Sequence, residues 1–262
     1  MAQPASRAGR PRGPAIRVLA VSDQVDDALQ ADLGTLRTAQ LILACGDLPA
    51  DYLGYLTDAL DVPLVFVPGN HDPDLSGYRV SRGGLTLRAG LPARLPVPEC
   101  AINADGRVVD VGGLRVAGLG GCLPYGQGPN QYTERQQARR ARGLQRRARR
   151  RELRDGRGVD VLLTHAPPLG VGDGDDAPHR GFQCYHPLIA ALQPAELLHG
   201  HVYPPIPAAH GGQLGTTIVR NVTPRQLIDI AAGPAAVQST RTGQPRTEPA
   251  GAQPHPGGRH AS

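Results

Sequence analysis

Residues 41–72 read LILACGDLPADYLGYLTDALDVPLVFVPGNHD, and their order decides the fold. Two unbroken apolar runs, Leu41–Ala44 and Leu64–Val67, have the length of strands buried on both faces. Between them, Tyr52, Leu53, Leu56 and Leu60 recur at helical spacing within Asp51–Leu60. Strand, helix and strand in succession predict an α/β architecture. Each apolar run stops on polar residues: Gly46-Asp47 after the first, Gly69-Asn70-His71-Asp72 after the second.

The pattern repeats outward. Ile16–Val21 ends at Ser22-Asp23, Val159–Leu163 at Thr164-His165, and Leu197-Leu198 leads into Gly200-His201. Arg107–Val111, Leu114–Leu119, Thr216–Val222 and Gln226–Ile230 are further short β-branched runs, and Gly112-Gly113 suits a hairpin turn. A mixed sheet, or two packed sheets, accommodates these better than a purely doubly wound fold. Five strand ends thus deliver Asp, Asn or His, on the side of the sheet where α/β folds bind ligands. Mixed oxygen and nitrogen donors suit Mn, Fe, Zn or Ni more than Mg or Ca.

Length and composition agree with a globular chain: 262 residues, 40% hydrophobic and 19% charged. Aromatics are 3% with no Trp, so Leu, Val, Ile and Ala must build the core. Residues 1–14 and 232–262 carry Pro, Gly and polar residues without periodicity and are expected to be disordered, leaving 15–231 as one domain. All 28 basic residues are Arg. Eleven of them lie in 134–157 against Glu134, Glu152 and Asp155, so the net charge of +5 comes from one segment. Thr133 and Gln136 form a capping-box pattern, and Asp155-Gly156 is a stop signal, predicting a helix over about 133–155. Such a helix, Arg135–Arg157, could attract an anionic partner or simply be a solvated cover. The arginines between 135 and 157 are not interleaved with aromatics, which argues against stacking on single strands. Four scattered cysteines without a CxxC pair exclude a zinc knuckle. No apolar run reaches transmembrane length. The Arg- and Pro-containing N-terminus lacks the apolar stretch of a signal peptide, so a cytoplasmic location is expected.

The segments SDQ (22–24), CGDL (45–48), PGNHD (68–72), THAPP (164–168) and HGH (199–201) resemble the five ordered motifs of the calcineurin-like metallophosphoesterases. LACGDLPADYLGYL, APPLG and HRGFQ are similar to a bacterial subgroup of single-domain members. The resemblance implies a four-layer α-β-β-α sandwich of two mixed sheets and hydrolysis of a phosphomonoester or phosphodiester by metal-activated water. By motif, Asp47 corresponds to the carboxylate bridging two metals. Asn70, His165 and His201 correspond to the other ligands of one ion, and Asp23 to a ligand of the other. His71 corresponds to the histidine that contacts the phosphate and protonates the leaving group. The sequence departs from the pattern twice: Val25 and Tyr203 stand where the family has histidine. Both losses fall on one site. That site is expected to be weak, holding Mg or Mn, or empty, whereas the intact site is expected to hold Mn, Fe, Zn or Ni. Residue spacing along a strand would put Tyr203 on the same side as His201. His199 is either a substitute ligand or a strand histidine. Asp26 and Asp27 either repair the site or cap a helix. Asp72 either orients His71 or closes its turn. Asp173, Asp175, Asp176 and His179 form a polar loop that either lines the substrate entrance or is solvated. Tyr125 either shapes the pocket or belongs to the core. The alternative to an enzyme is an eroded binding or regulatory module that docks nucleic acid or an acidic partner through the Arg-rich helix.

Overall fold

The computed structural model describes residues 13–31, 33–203 and 211–233. The expected disordered segments fall largely on 1–12 and 234–262, outside the described residues.

One sheet has five strands in the order β14 (Arg225–Ala231), β1 (Ala15–Val21), β2 (Leu41–Ala44), β3 (Leu64–Phe66) and β7 (Ile102–Asn103). β14 is antiparallel to β1, and β1, β2, β3 and β7 run parallel. The second sheet has six: β12 (Gly211–Leu214), β13 (Thr217–Asn221), β11 (Glu196–His199), β10 (Val161–Thr164), β9 (Leu114–Leu119) and β8 (Val108–Val111). Its inner four strands are parallel, with β12 and β8 antiparallel at the edges. A small antiparallel sheet joins β4 (Tyr78–Val80), β5 (Thr86–Arg88) and β6 (Leu91–Pro92). Gly112 and Gly113 close the β8–β9 hairpin with positive φ at both positions, as a two-residue turn requires.

Alternation along the strands builds four layers. In β1 and β2, Val18, Ala20, Leu41 and Leu43 meet Leu114, Val116, Val161 and Leu163 of the other sheet. Leu19, Val21 and Ile42 point the other way, onto α1 (Ala28–Ala31) and α2 (Ala50–Leu60) through Leu29, Leu53 and Leu56. On the far side of the second sheet, Leu119, Leu162 and Leu197 pack against α3 (Glu134–Asp155) and α4 (Tyr185–Leu192). Every inner strand is therefore covered on both faces, which explains its unbroken apolar run. The sheet pairing also reaches slightly past the expected bounds, since Gly13 N–H donates to Ala232 O at 2.8 Å.

Helix α3 begins at the predicted capping box and ends at Gly156 in the left-handed conformation. It buries Gln137, Ala141, Leu144 and Ala148, one narrow stripe. Among the described residues, no helix is long and apolar enough to cross a membrane.

Candidate metal centre

The parallel strands of both sheets end on one face, and the chain turns sharply there. Asp23, Asp47 and His201, directly after or near the ends of β1, β2 and β11, all have positive φ. Two glycines let these turns close on one another. A Cβ at Gly69 would strike the Asp47 carboxylate, and one at Gly200 would strike Ser22 and Asp23.

His165, the residue after β10, is fully buried. Its Nδ1 lies 2.7 Å from the carbonyl oxygen of Cys45. A carbonyl only accepts, so Nδ1 carries a proton and Nε2 is the ring nitrogen left to face a ligand. Nε2 faces Asn70 Oδ1 at 2.8 Å and Asp47 Oδ2 at 3.4 Å. Asn70 is turned this way because its Nδ2 donates to the Tyr125 hydroxyl at 2.7 Å. His165 Nε2, Asn70 Oδ1 and Asp47 Oδ2 thus converge on one point. Ligand atoms of Asp23, Asp47 and His165 also lie within 4.8 Å of one another. This donor set fits a divalent cation, and the group could hold one. Burial pushes the Asp47 carboxyl up from its ordinary range, His165 opposes the rise, and Asp23 and Asp72 add to it. An adjacent positive charge would relieve that cost.

Each carboxylate spends one oxygen on backbone. Asp47 Oδ1 accepts from His71 N–H at 2.8 Å, and Asp23 Oδ2 from His201 N–H at 2.8 Å and the Thr223 hydroxyl at 3.2 Å. Asp72 Oδ2 accepts from Asp47 N–H at 2.9 Å and Gly69 N–H at 2.7 Å, tying the two loops together. Asn130 clasps the same loop through Gly69 O and Asp72 O.

His201 stands beside the group, its ring centre 4.7 Å from that of His165. Its Nε2 donates to Pro178 O at 2.7 Å, which frees Nδ1 as the lone-pair nitrogen. Burial, then His165, push its pKa down to about 3. His71 is exposed, with Nε2 3.4 Å from the Tyr125 hydroxyl. Tyr125 is no core residue: it is 42% exposed and its hydroxyl connects Asn70 to His71. The sequence signal for it was only a Gly-rich turn. Pro178, Thr223 and Asn130 went unread, since a backbone carbonyl or a distant clasp leaves no local pattern.

The remaining residues divide. Strand β11 stops at His199 and the chain turns at His201, so strand alternation does not govern Tyr203, which is 46% exposed. Its hydroxyl pKa is raised by burial first, and then by the charges of Asp23 and Asp47. Val25 is also exposed. His199 lies in the second sheet, outside the Asp23–Asp47–His165 group, with Nδ1 3.0 Å from Gly200 O and Nε2 without a partner against Gly172. Asp26 accepts from Ala28 N–H at the start of α1 and pairs with Arg225. Asp173 closes its loop on Gly170 and Gly181, while His179 pairs with Asp176 at 2.7 Å and packs near His201 and Tyr203.

A cluster that could hold a cation thus lies at the strand ends of a four-layer α/β sandwich. The chain belongs to the calcineurin-like phosphoesterase family, whose profile matches residues 16–205. One crystal structure aligns with 84% of this chain and 100% of its own at 14% identity and a TM-score of 0.51. The protein TT1561 of Thermus thermophilus aligns over 79% of this chain and 89% of its own, at 20% identity and a TM-score of 0.49. The Thermus thermophilus sulfate thiohydrolase SoxB shares 13% identity over 86% of this chain and 59% of its own, with a TM-score of 0.37. No curated protein matches the chain.

Proposed function

We propose that the protein is a metal-dependent hydrolase of phosphomonoesters or phosphodiesters. The observation that carries this reading is the convergence of Asp47 Oδ2, Asn70 Oδ1 and His165 Nε2 on one point. Asp47, Asn70, His165 and His201 would hold one ion, of Mn, Fe, Zn or Ni type. Asp23 and Asp47 would hold a second, weaker one, of Mg or Mn type, because Val25 and Tyr203 supply no imidazole. Such ions polarise a phosphoryl group and activate water. His71 contributes the proton for the departing oxygen, with Tyr125 beside its Nε2 fixing the ring. Asp72 and Asn130 keep the 69–72 loop in place. His179, which packs near His201 and Tyr203, would line the entrance and meet the substrate. The same reading puts the protein in the cytoplasm, where the free thiols of Cys45, Cys100, Cys122 and Cys184 would stay reduced.

The test is hydrolysis of p-nitrophenyl and bis-p-nitrophenyl phosphate with Mn, Mg, Ni and Zn. Asp47→Asn and His71→Ala should each lower kcat by about a hundredfold or more. Activity that survives Asp47→Asn would sink the mechanism. Metal analysis of the purified chain tests the unequal sites, and two tightly held zinc ions per chain would contradict them.

A second reading rests on the unspent arginines of α3. Arg140 pairs with Asp105, Arg151 with Asp110, and Arg157 with Asp160. Arg135, Arg139, Arg146, Arg149 and Arg150 are exposed along the helix. A binding module would hold nucleic acid or an acidic protein there. Salt-sensitive binding lost on neutralising these arginines, in a chain inactive with every metal, would favour this reading.

A further inference from the structure

Directly beside the metal centre lies a cavity of about 310 Å³. Asp47 and His71 belong to its wall, so it opens on the same reacting region. The rest of the wall is apolar: Leu48 and Leu53 from the α2 side, Phe66 from β3, and Val97 between Pro96 and Pro98. Among the described residues no arginine lines it, and the carboxylates that do are Asp47 and Asp72. A second phosphate or a carboxylate would be repelled there, and a sugar would leave hydroxyls facing hydrocarbon. Proline-rich walls are stiff, so the cavity needs little ordering on binding.

We propose that this cavity receives the leaving group of the phosphoester, and that this group is uncharged and apolar, an aryl ring or a branched alkyl chain. The assignment rests on the hydrolase reading above. Its geometry follows from His71, which lines the cavity and is the group expected to protonate the departing oxygen. The alcohol being released must lie within reach of that imidazole. Water adds to phosphorus and the ester P–O bond breaks. The bonding pair leaves on the ester oxygen, which takes the proton of His71. The proton shed by the attacking water restores the balance, giving phosphate and a neutral alcohol.

The experiment uses the full chain with Mn²⁺ and three phosphates of similar phenolic acidity: phenyl phosphate, 2-naphthyl phosphate and O-phosphotyrosine. kcat/KM should be about tenfold higher for the naphthyl than the phenyl ester, as burying one more ring requires. Phosphotyrosine, with its charged tail, should be about tenfold or more below phenyl phosphate. Ala50, the half-buried first residue of α2, also lines the cavity. Ala50→Phe should fill it and abolish the naphthyl advantage. A second readout needs no turnover. The chain has no Trp, so the fluorescence of 2-naphthol can be followed directly. Saturable binding, retained in Asp47→Asn and lost in Ala50→Phe, supports the cavity as the apolar subsite. Absence of binding, or binding unchanged by Ala50→Phe, overturns it. Equal kcat/KM for all three esters overturns the leaving-group assignment. Absence of hydrolysis of every ester with naphthol binding intact overturns the hydrolase reading and the leaving-group assignment, and leaves an apolar ligand site.

Discussion

Replacing Asp72 by Ala tests how the metal centre is held. Its Oδ2 receives Asp47 N–H and Gly69 N–H at 2.9 and 2.7 Å, both in hydrogen-bonding range. Hydrogen bonds to a charged acceptor contribute about 1.5–3 kcal/mol each. The carboxylate is only half buried, so the lower end applies, giving about 3 kcal/mol for the pair. For a folded unit of this size, that lowers Tm by about 6–12 °C. Asp72→Asn keeps an acceptor at the same place and should lose about 1 kcal/mol. Metal affinity should also drop about tenfold in Asp72→Ala, because Asp47 is no longer anchored through its own backbone. Urea denaturation of the metal-free proteins gives the stability, and calorimetric titration with Mn²⁺ the affinity. A metal-free Asp72→Ala within about 0.5 kcal/mol of wild type would refute the argument that this carboxylate joins the two loops.

Tyr125→Phe removes the acceptor that turns Asn70 toward His165. Metal affinity should fall several-fold while stability changes by about 1 kcal/mol or less, read from the same two assays. His199 is fully buried, and burial pushes its pKa down to about 4, with Gly200 O and Asp23 only partly offsetting the shift. The unfolded chain, with a histidine pKa of about 6.5, therefore binds more protons between these values. The contribution is present above pH 6.5 and lost as pH falls toward 4, up to about 3 kcal/mol. His199→Phe should lose less stability between pH 7 and 4.5, measured by urea midpoints; equal losses would contradict the shift. Arg115 has a side chain 4% exposed and pairs with Asp110 and Asp155, each at 2.7 Å. Arg115→Met should cost about 1–3 kcal/mol in urea unfolding, because Asp155 at the end of α3 and Arg157 O lose their partner while Asp110 keeps Arg151.

The layers were legible because burial on both faces leaves unbroken apolar runs. Ile16–Val21, Leu41–Ala44 and Leu114–Leu119 correspond closely to strands, and Thr133-Gln136 and Gly156 mark the ends of α3. The grouping of Asp23, Asp47 and His165 follows from strand ends, since parallel strands finish on one side. Clasps made through backbone were not legible. Pro178 O meets His201, and Asn130 reaches Gly69, across 23 and 61 residues with no periodic sign. Strand alternation is also not what positions Tyr203. Alternation holds only while the strand continues, and β11 ends before Gly200. The apolar cavity depends on Pro96 to Pro98, an irregular segment whose position no spacing rule predicts.

The motifs are held by one another as well as by the strands. Asp23 is anchored by the N–H of His201, Asp47 by the N–H of His71, and Asp72 bonds the loops of Asp47 and Gly69. Left-handed backbone at Asp23, Asp47 and His201 costs about 1–2 kcal/mol at each residue. These cross-loop bonds offset that strain, and each leaves a carboxylate oxygen free to face the centre. The residues should therefore act as a unit rather than as separate ligands. In a double-mutant cycle on the metal-free protein, Asp23→Ala and Thr223→Val share the Asp23 Oδ2 bond. Their combined loss in urea should be smaller than the two single losses together, by about 0.5–1 kcal/mol. Simple additivity would mean that the Thr223 hydroxyl does not help to hold Asp23, and that part of the interlocking would fall.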